Sequence, residues 1–263
     1  MISVLMSVYE KENPEFLKKA LDSIYAQSMK PDEIVLVEDG KLTEALEAVI
    51  SDYPRLRILK LEENQQLGRA LEAGLKVCRY ELVARMDSDD IMMPKRLERQ
   101  YRYMIENPHL AACGGEIAEF IDEDKMLREK SMPISPDAVY MYGKLRNPMN
   151  HMTVMFRKSA IEAVGGYRHF PGLEDYDLWI RLIMNGYKLS NLPEVLVKAR
   201  IGEGFAKRRG GWKYFKTYHK LRREQYKLGY LSLYEYKVAC IATFVMTMMP
   251  ARWRDRAYAE LRK

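Results

Sequence analysis

The chain has 263 residues, 48% of them hydrophobic and 30% charged, with a formal net charge of +6; this is the make-up of an ordered globular protein, long enough for one large α/β domain with or without a short appendage. Cys78, Cys113 and Cys240 are odd in number and far apart in apolar stretches, which argues against a disulfide frame or a zinc site and for buried thiols in a reducing compartment. Met1–Leu5 lacks the basic and long apolar regions of a signal peptide, and the longest apolar stretch, Val238–Pro250, falls short of the roughly 20 residues that span a bilayer.

In chain order, Ser3–Val8 reads as a first strand. Asn13 and Pro14 form a helix start, an N-cap followed by proline at the first helical position, and Leu17, Ala20, Leu21 and Ile24 follow at helical spacing. Ile34–Val37 is a second strand, ending at Glu38-Asp39-Gly40. A helix over Thr43–Ser51 leads to a strand at Arg57–Leu61, and a helix over Arg69–Val77 leads to a strand at Glu81–Ala84 that stops just before Asp87. Strands separated by helices of this length predict βαβ units and a parallel sheet, with Asp39 and Asp87 on one edge of it. Beyond Asp90 the alternation loosens. Pro94 opens a helix over Lys95–Glu106; Leu110–Gly115, Glu116–Ile121 and His151–Phe156 read as short strands. Ser159 caps a short helix ending at Gly165-Gly166, and Glu174–Met184 is a further helix with Gly186 past its end. From Gly211 onward the chain reads as helical and amphipathic, without internal repeats.

Two features carry chemistry. In Asp87-Ser88-Asp89-Asp90, carboxylates at i and i+2 after a buried strand can point into one small volume, an arrangement that a hard divalent cation with phosphate oxygens in its shell would relieve; turn or helix-cap chemistry is the plainer alternative. In the second, nine basic residues (Lys207, Arg208, Arg209, Lys213, Lys216, Lys220, Arg222, Arg223, Lys227) fall within 21 positions against one acid, Glu224, interleaved with Trp212, Tyr214, Phe215, Tyr218 and Tyr226. That segment suits nucleic acid, an anionic membrane surface, or a solvated helix face.

The pieces Met6-Ser7-Val8-Tyr9, Val37-Glu38-Asp39-Gly40, Asn64 through Gly68 with Ala70 and Gly74, Ala84 through Asp90, Gly165-Gly166-Tyr167 and Glu174 through Trp179 occur in this order. Together they resemble the family 2 glycosyltransferases of GT-A fold, and within them bacterial enzymes that build O-antigen or exopolysaccharide repeats on a lipid carrier. The resemblance runs from residue 2 to about residue 200. It implies an α/β fold with a mostly parallel central sheet flanked by helices, a catalytic domain over 1–205 (nucleotide-binding half 1–90, acceptor-binding half 91–205) and a basic helical extension over 206–263.

The activity implied is an inverting transfer of one sugar from a UDP-sugar to a hydroxyl of an undecaprenyl-diphosphate-linked acceptor; galactose from UDP-galactose onto N-acetylglucosamine is the first expectation and glucose the second. Ser7, Val8 and Tyr9 are implied beside the nucleotide, and Asp39 as acceptor for the base N–H unless it is only a turn residue before Gly40. Gly68 and Gly74 fit close packing of the following helix. Arg69 either reaches a phosphate or is solvated. Asp87 and Asp89 take the DxD roles, Asp89 as the direct ligand of Mn²⁺ or Mg²⁺ and Asp87 bonding either the ribose or the metal's water, with Ser88 on the nucleotide-sugar side. Asp90 either caps the helix near Pro94 or meets the ligand, and Arg85 braces the carboxylates or the phosphates. Asp175 matches the catalytic base, with Glu174, His151, Arg168 and His169 toward the acceptor; His151 has a buried structural role as its alternative, and Trp179 is expected in the core. The Gln-x-x-Arg-Trp motif of processive members is missing, since Met249 stands three before Arg252, which favours addition of a single sugar. A lipid-linked acceptor assigns the basic tail to the anionic cytoplasmic face of the inner membrane and not to nucleic acid. It would dock there peripherally through Lys207–Lys227, Val238–Met249 and Arg252, Arg254 and Arg256. The rival enzyme class, nucleotidyltransferases, needs a glycine-rich phosphate loop after the first strand, and Tyr9–Pro14 contains no glycine. A non-catalytic polyanion-binding protein would leave Asp87, Asp89 and Asp175 dispensable.

Overall fold

The apolar runs of the first third of the chain do become βαβ units. The computed structural model describes residues 1–121, 126–201, 209–254 and 257. In it β1 (Ile2–Val8), α1 (Pro14–Tyr25), β2 (Glu33–Glu38), α2 (Glu44–Ser51), β3 (Leu56–Lys60), α3 (Leu67–Val77) and β4 (Leu82–Met86) follow one another. The caps act as their residue types require: Asn13 accepts from the Glu15 N–H and Thr43 from the Leu46 N–H. β3, β2, β1 and β4 lie side by side in that order, all parallel. The chain reverses its direction of travel between β1 and β4, the switch point at which open α/β sheets bind ligands. The register pairs Met6 with Met86 and Val8 with Glu38, so Tyr9, Asp39 and Asp87 leave the sheet along one edge.

The second half completes a mixed sheet. β5 (Ile91–Met92), α4 (Arg96–Glu106), β6 (Leu110–Phe120), β7 (Met126–Lys130), α5 (Pro136–Gly143), a 3₁₀ turn (His151–Thr153), β8 (Met155–Arg157), α6 (Lys158–Ala163), α7 (Glu174–Met184) and β9 (Lys188–Arg200) follow. β8 joins β4 and β6 antiparallel, β9 runs parallel to β6, and β5 and β7 add antiparallel edges. Four expectations change. Leu110–Gly115 and Glu116–Ile121 form a single strand, with a register shift between Gly115 and Glu116 taking up the irregularity. His151–Thr153 turns as 3₁₀ before the strand begins at Met155. Ser159 does not cap α6: Arg157 is the N-cap, and the Ser159 hydroxyl donates to Glu81. β9 was not anticipated, because Pro193-Glu194 interrupts it; those residues fall where the register skips from Leu192 to Val195, and such bulges accommodate proline.

Apolar side chains fill both faces of the sheet. One cluster joins Val4, Met6, Leu36 and Ala84 to α1, α2 and α4; the other joins Leu5, Val35, Val37 and Val83 to α3, α6 and α7, with Trp179 fully buried. Gly74 lets α3 approach, because a Cβ there would lie 2.5 Å from Leu5 and 2.6 Å from Val37. Cys78 and Cys113 are buried and Cys240 half-buried, all three free thiols.

After residue 208 come α8 (Gly211–Lys227) and α9 (Leu233–Met248). Leu221, Tyr230 and Leu231 pack with Tyr176 and Ile180 of α7, which seats α8 on the domain. α9 starts with a capping box, Ser232 with Glu235. No helix among the described residues is long and apolar enough to cross a membrane. Lys207, Arg208, Arg256 and the expected boundary at 205/206 lie outside the described residues.

Candidate active site

β4 ends at Met86, so the next residues turn off the sheet edge as a run of acids. One carboxylate oxygen each from Asp87, Asp89 and Asp90 lie within 4.8 Å of one another. Burial, then the charges of Asp87 and Glu12, push the Asp89 carboxyl up to about 7, and burial with the charges of Asp87 and Asp89 raises Asp90 well above its usual range. Like charges crowded this way are relieved by a divalent cation, and the oxygen set fits one. Asp90 Oδ2 is buried without a protein partner. Its Oδ1 accepts from the Arg200 N–H at 2.7 Å, and the N-cap of α4 is Lys95 with no side-chain bond, so Asp90 does not cap that helix. Ser88 donates to Glu12. Arg200 at the end of β9 also donates to the Asp89 carbonyl at 3.1 Å and stacks its guanidinium on Phe16 and Phe120.

Arg85 occupies the centre. Alternation along β4 sends it to the same face as Val83, toward α7. It is buried and ion-paired with Asp87, while its Nε and Nη1 have no protein partner. Its charge also offsets part of the burial that raises the Glu174 and Asp175 carboxyls.

Those two acids open α7, where the helix dipole favours negative charge. Asp175 Oδ1 accepts from the Tyr176 N–H at 2.8 Å and Oδ2 from Asn147 Nδ2 at 2.5 Å. Burial raises the Asp175 carboxyl and these two hydrogen bonds hold it down. Glu174 is pushed up to about 7 by burial and then by Asp175. Its Cβ lies 3.2 Å from where a Cβ on Gly68 would sit, so the starts of α3 and α7 touch. Arg85 thus pairs with the acid turn after β4 and its charge also acts on the acid pair that opens α7.

Val8 is buried, its carbonyl accepting from the Asp39 N–H at 2.8 Å; Ser7 is half-buried and Tyr9 exposed at the rim. Asp39 is buried, which raises its carboxyl, and Oδ1 accepts from the Gln65 N–H at 2.7 Å. It fixes the loop before α3, where Gln66 holds a left-handed backbone with φ 70°, a conformation costing a non-glycine residue about 1–3 kcal/mol. Arg69 is exposed on the first turn of α3. Arg168 is ion-paired with Asp177, and together with Gln66, Gly68, Gly172, Glu174 and the exposed His169 it lines an open hollow. His151 is drawn inward: Nε2 lies 2.9 Å from the Tyr167 hydroxyl, the ring packs edge-on to Trp179, and burial followed by Arg85's charge keeps it neutral. Asn147, Glu12 and Arg200 were not picked out as site residues, and Tyr167 stood only in the Gly165-Gly166-Tyr167 string; each reaches the site across 28 or more positions of sequence or through another side chain, which no local spacing displays.

A family model described as Glycosyl transferase family 2 matches residues 3–165. The chain is 39% identical over 266 residues, 100% of each chain, to the amylovoran biosynthesis glycosyltransferase AmsE of Erwinia amylovora. It is 38% identical over 264 residues, 98% of this chain and 95% of the relative, to an Escherichia coli UDP-Gal:alpha-D-GlcNAc-diphosphoundecaprenol beta-1,3-galactosyltransferase. A mannosyltransferase from Pyrobaculum calidifontis, solved in complex with GDP-Man and Mn²⁺, superposes with a TM-score of 0.66 over 99% of this chain and 79% of that one at 16% identity. That likeness carries the fold, which is GT-A.

Proposed function

This chain belongs to glycosyl transferase family 2, and we propose that it transfers one hexose with inversion from a UDP-sugar to a lipid-diphosphate-linked sugar. The donor is galactose from UDP-galactose and the acceptor N-acetylglucosamine on diphosphoundecaprenol, the activity named for the 38% identical relative. The observation that supports the reading is Arg85, ion-paired with Asp87 while its charge also acts on Glu174 and Asp175, as a residue between a diphosphate-metal turn and a general base would.

Asp89 and Asp87 would hold Mn²⁺ or Mg²⁺, with Asp90 behind them. When bound, the cation supplies positive charge to the departing diphosphate. Ser7, Val8 and Tyr9 flank the nucleotide, Asp39 accepts from its base, and Arg69 and Ser88 lie toward the phosphates. Asp175, whose two oxygens are each fixed by a donor, takes the proton of the acceptor hydroxyl as that oxygen attacks the anomeric carbon. Such general-base help is worth about 10²–10⁴-fold. Inversion needs no second nucleophile. Glu174, whose carboxyl is pushed up to about 7 by burial and then by Asp175, offers a hydrogen bond to the acceptor, and Arg168 and His169 flank its path.

The helical extension docks on the anionic cytoplasmic leaflet. Lys213, Lys216, Lys220, Arg223 and Lys227 recur at spacings of 3, 4, 3 and 4, which puts them on one face of α8. α9 presents Val238, Ile241, Phe244, Val245 and Met248 to solvent, Ile241 being 65% exposed, and no charge occurs from Val238 to Ala251. A cationic stripe beside an exposed apolar helix is an interfacial device. Arg222 and Arg254 leave this surface: both are buried, Arg254 donating to the carbonyls of Thr247 and Met249.

Incubating purified protein and Mn²⁺ with a panel of UDP-sugars and a synthetic GlcNAc-diphosphate-lipid tests the reading. Transfer of galactose, or of glucose as the second candidate, supports it. No transfer from any UDP-sugar, with no thermal shift from UDP plus Mn²⁺, would overturn it.

A further inference from the structure

α8 does more than face outward; one of its residues reaches the stretch that holds the base. α5 ends at Gly143, and the following stretch runs through Lys144 and Leu145 to Asn147. Arg222 Nη1 donates to the Lys144 carbonyl and to the Tyr176 hydroxyl, both at 3.0 Å, and Nη2 to the Leu145 carbonyl at 2.7 Å. The Tyr176 hydroxyl in turn donates to the Gly143 carbonyl at 2.5 Å. Lys144 Nζ pairs with Glu235 in the first turn of α9 at 2.9 Å. A Cβ on Gly143 would lie 2.4 Å from the Tyr230 hydroxyl, so the end of α5 is pressed against the turn between α8 and α9.

Both lines from Arg222 end at Asp175. One passes along the stretch to Asn147, whose Nδ2 holds Oδ2; the other passes to Tyr176, whose backbone N–H holds Oδ1. No carboxylate among the described residues pairs with Arg222; carbonyls, Gln225 and the ring faces of Tyr176 and Tyr218 surround it instead. A buried guanidinium without a counter-ion is a costly fastener between helices. Its planar, many-donor fork, however, matches two successive carbonyls and a phenol as no other side chain does.

We infer that Asn147 and Arg222 are positioning residues for the catalytic base, so that the docking extension sets the orientation of Asp175. The inference rests on Asp175 being that base. Glu174 on the same helix, Arg85 from β4, Arg209 ahead of α8 and Tyr167 also act on this carboxylate, and the substitutions below leave them in place.

Transfer kinetics over pH 5.5–9 for Asn147→Ala, Arg222→Ala, Arg222→Lys and Asp175→Asn, with UDP binding in Mn²⁺ measured alongside, test it. Asn147→Ala should lower kcat about 10- to 100-fold, leave donor KM and UDP binding unchanged, and move the acidic limb of kcat to higher pH, since a donor to the carboxylate is lost. Arg222→Ala should move the same quantities in the same direction, and Arg222→Lys should recover part of the loss. Wild-type kcat and an unmoved limb in Asn147→Ala, with Asp175→Asn inactive, would overturn the positioning roles and leave the base intact. An active Asp175→Asn would instead overturn the base itself. Should Arg222→Ala lose UDP binding through misfolding, Asn147→Ala decides, since it changes one half-buried side chain in a loop.

Discussion

Replacing Lys213, Lys216, Lys220, Arg223 and Lys227 together by Gln separates charge from apolar contact at the membrane. At about 1 kcal/mol per basic residue near an anionic surface, five cations would contribute about 5 kcal/mol. Lys227 is paired with Glu224 at 3.1 Å, but replacing it leaves Glu224 as an unpaired negative charge, so the difference between wild type and variant stays at five charges, about 5 kcal/mol or roughly several thousandfold in partition. Arg222 and Arg254 are left alone because they face carbonyls and not solvent. The apolar contribution is untouched: Ile241 and Phe244 would each give up to about 1.5–3 kcal/mol on full burial. Vesicle co-sedimentation reads both. The five-residue variant should bind anionic vesicles roughly several thousandfold more weakly at low salt and neutral vesicles no differently. Raising salt toward 1 M, where the Debye length shrinks to about 3 Å, should bring the wild type close to the variant. Ile241→Asp with Phe244→Asp should weaken binding to both vesicle types. Undiminished binding by the five-residue variant, or wild-type binding indifferent to salt, would refute the reasoning.

Asp175→Asn should reduce kcat by about 10²–10⁴-fold while UDP titration in Mn²⁺ gives an unchanged affinity; comparable losses in both would place Asp175 in donor binding. Glu174 sits near 7 in the fold against about 4.3 unfolded, so the folded state keeps the extra proton between those values and stability falls as pH rises through them. At about 1.4 kcal/mol per unit the loss is on the order of 4 kcal/mol, and Glu174→Gln should flatten the dependence of Tm on pH over that window; a slope equal to wild type contradicts this. Gly74→Ala would set a methyl 2.5 Å from Leu5 and 2.6 Å from Val37, an overpacking worth about 1–3 kcal/mol. A Tm lowered by several degrees is expected, and no change would mean that α3 can shift without cost.

The part of the fold legible in the sequence was the part governed by local rules. β1 to β4 with their helices followed from apolar period, the Asn13-Pro14 start and acids at strand ends, all properties of a few neighbouring residues. β9 was not legible because its partner is β6, more than seventy positions earlier, and because Pro193 reads as a breaker until a bulge gives it a place. β6 was split at Gly114-Gly115 for a similar reason. In the site, Asp87, Asp89, Glu174 and Asp175 stand in recognisable strings. Asn147 carries no signal of its own, since its meaning comes from the Asp175 oxygen across the cleft. Arg222 was counted with the surface cations, and only the fold sets it apart: Lys220 and Arg223 on the same helix face water while it faces Lys144, Leu145 and Tyr176.

Arg200 makes the two halves of the chain inseparable. Its backbone amide and guanidinium hold Asp90 and the Asp89 carbonyl while Phe16 of α1 and Phe120 of β6 clasp its plane. A fragment stopping at residue 90 would keep every acid of the turn yet lose the strut that shapes it, along with β8, which shields the open flank of β4. The smallest piece able to present those acids correctly therefore extends at least to the end of β9, more than a hundred residues beyond the acids themselves.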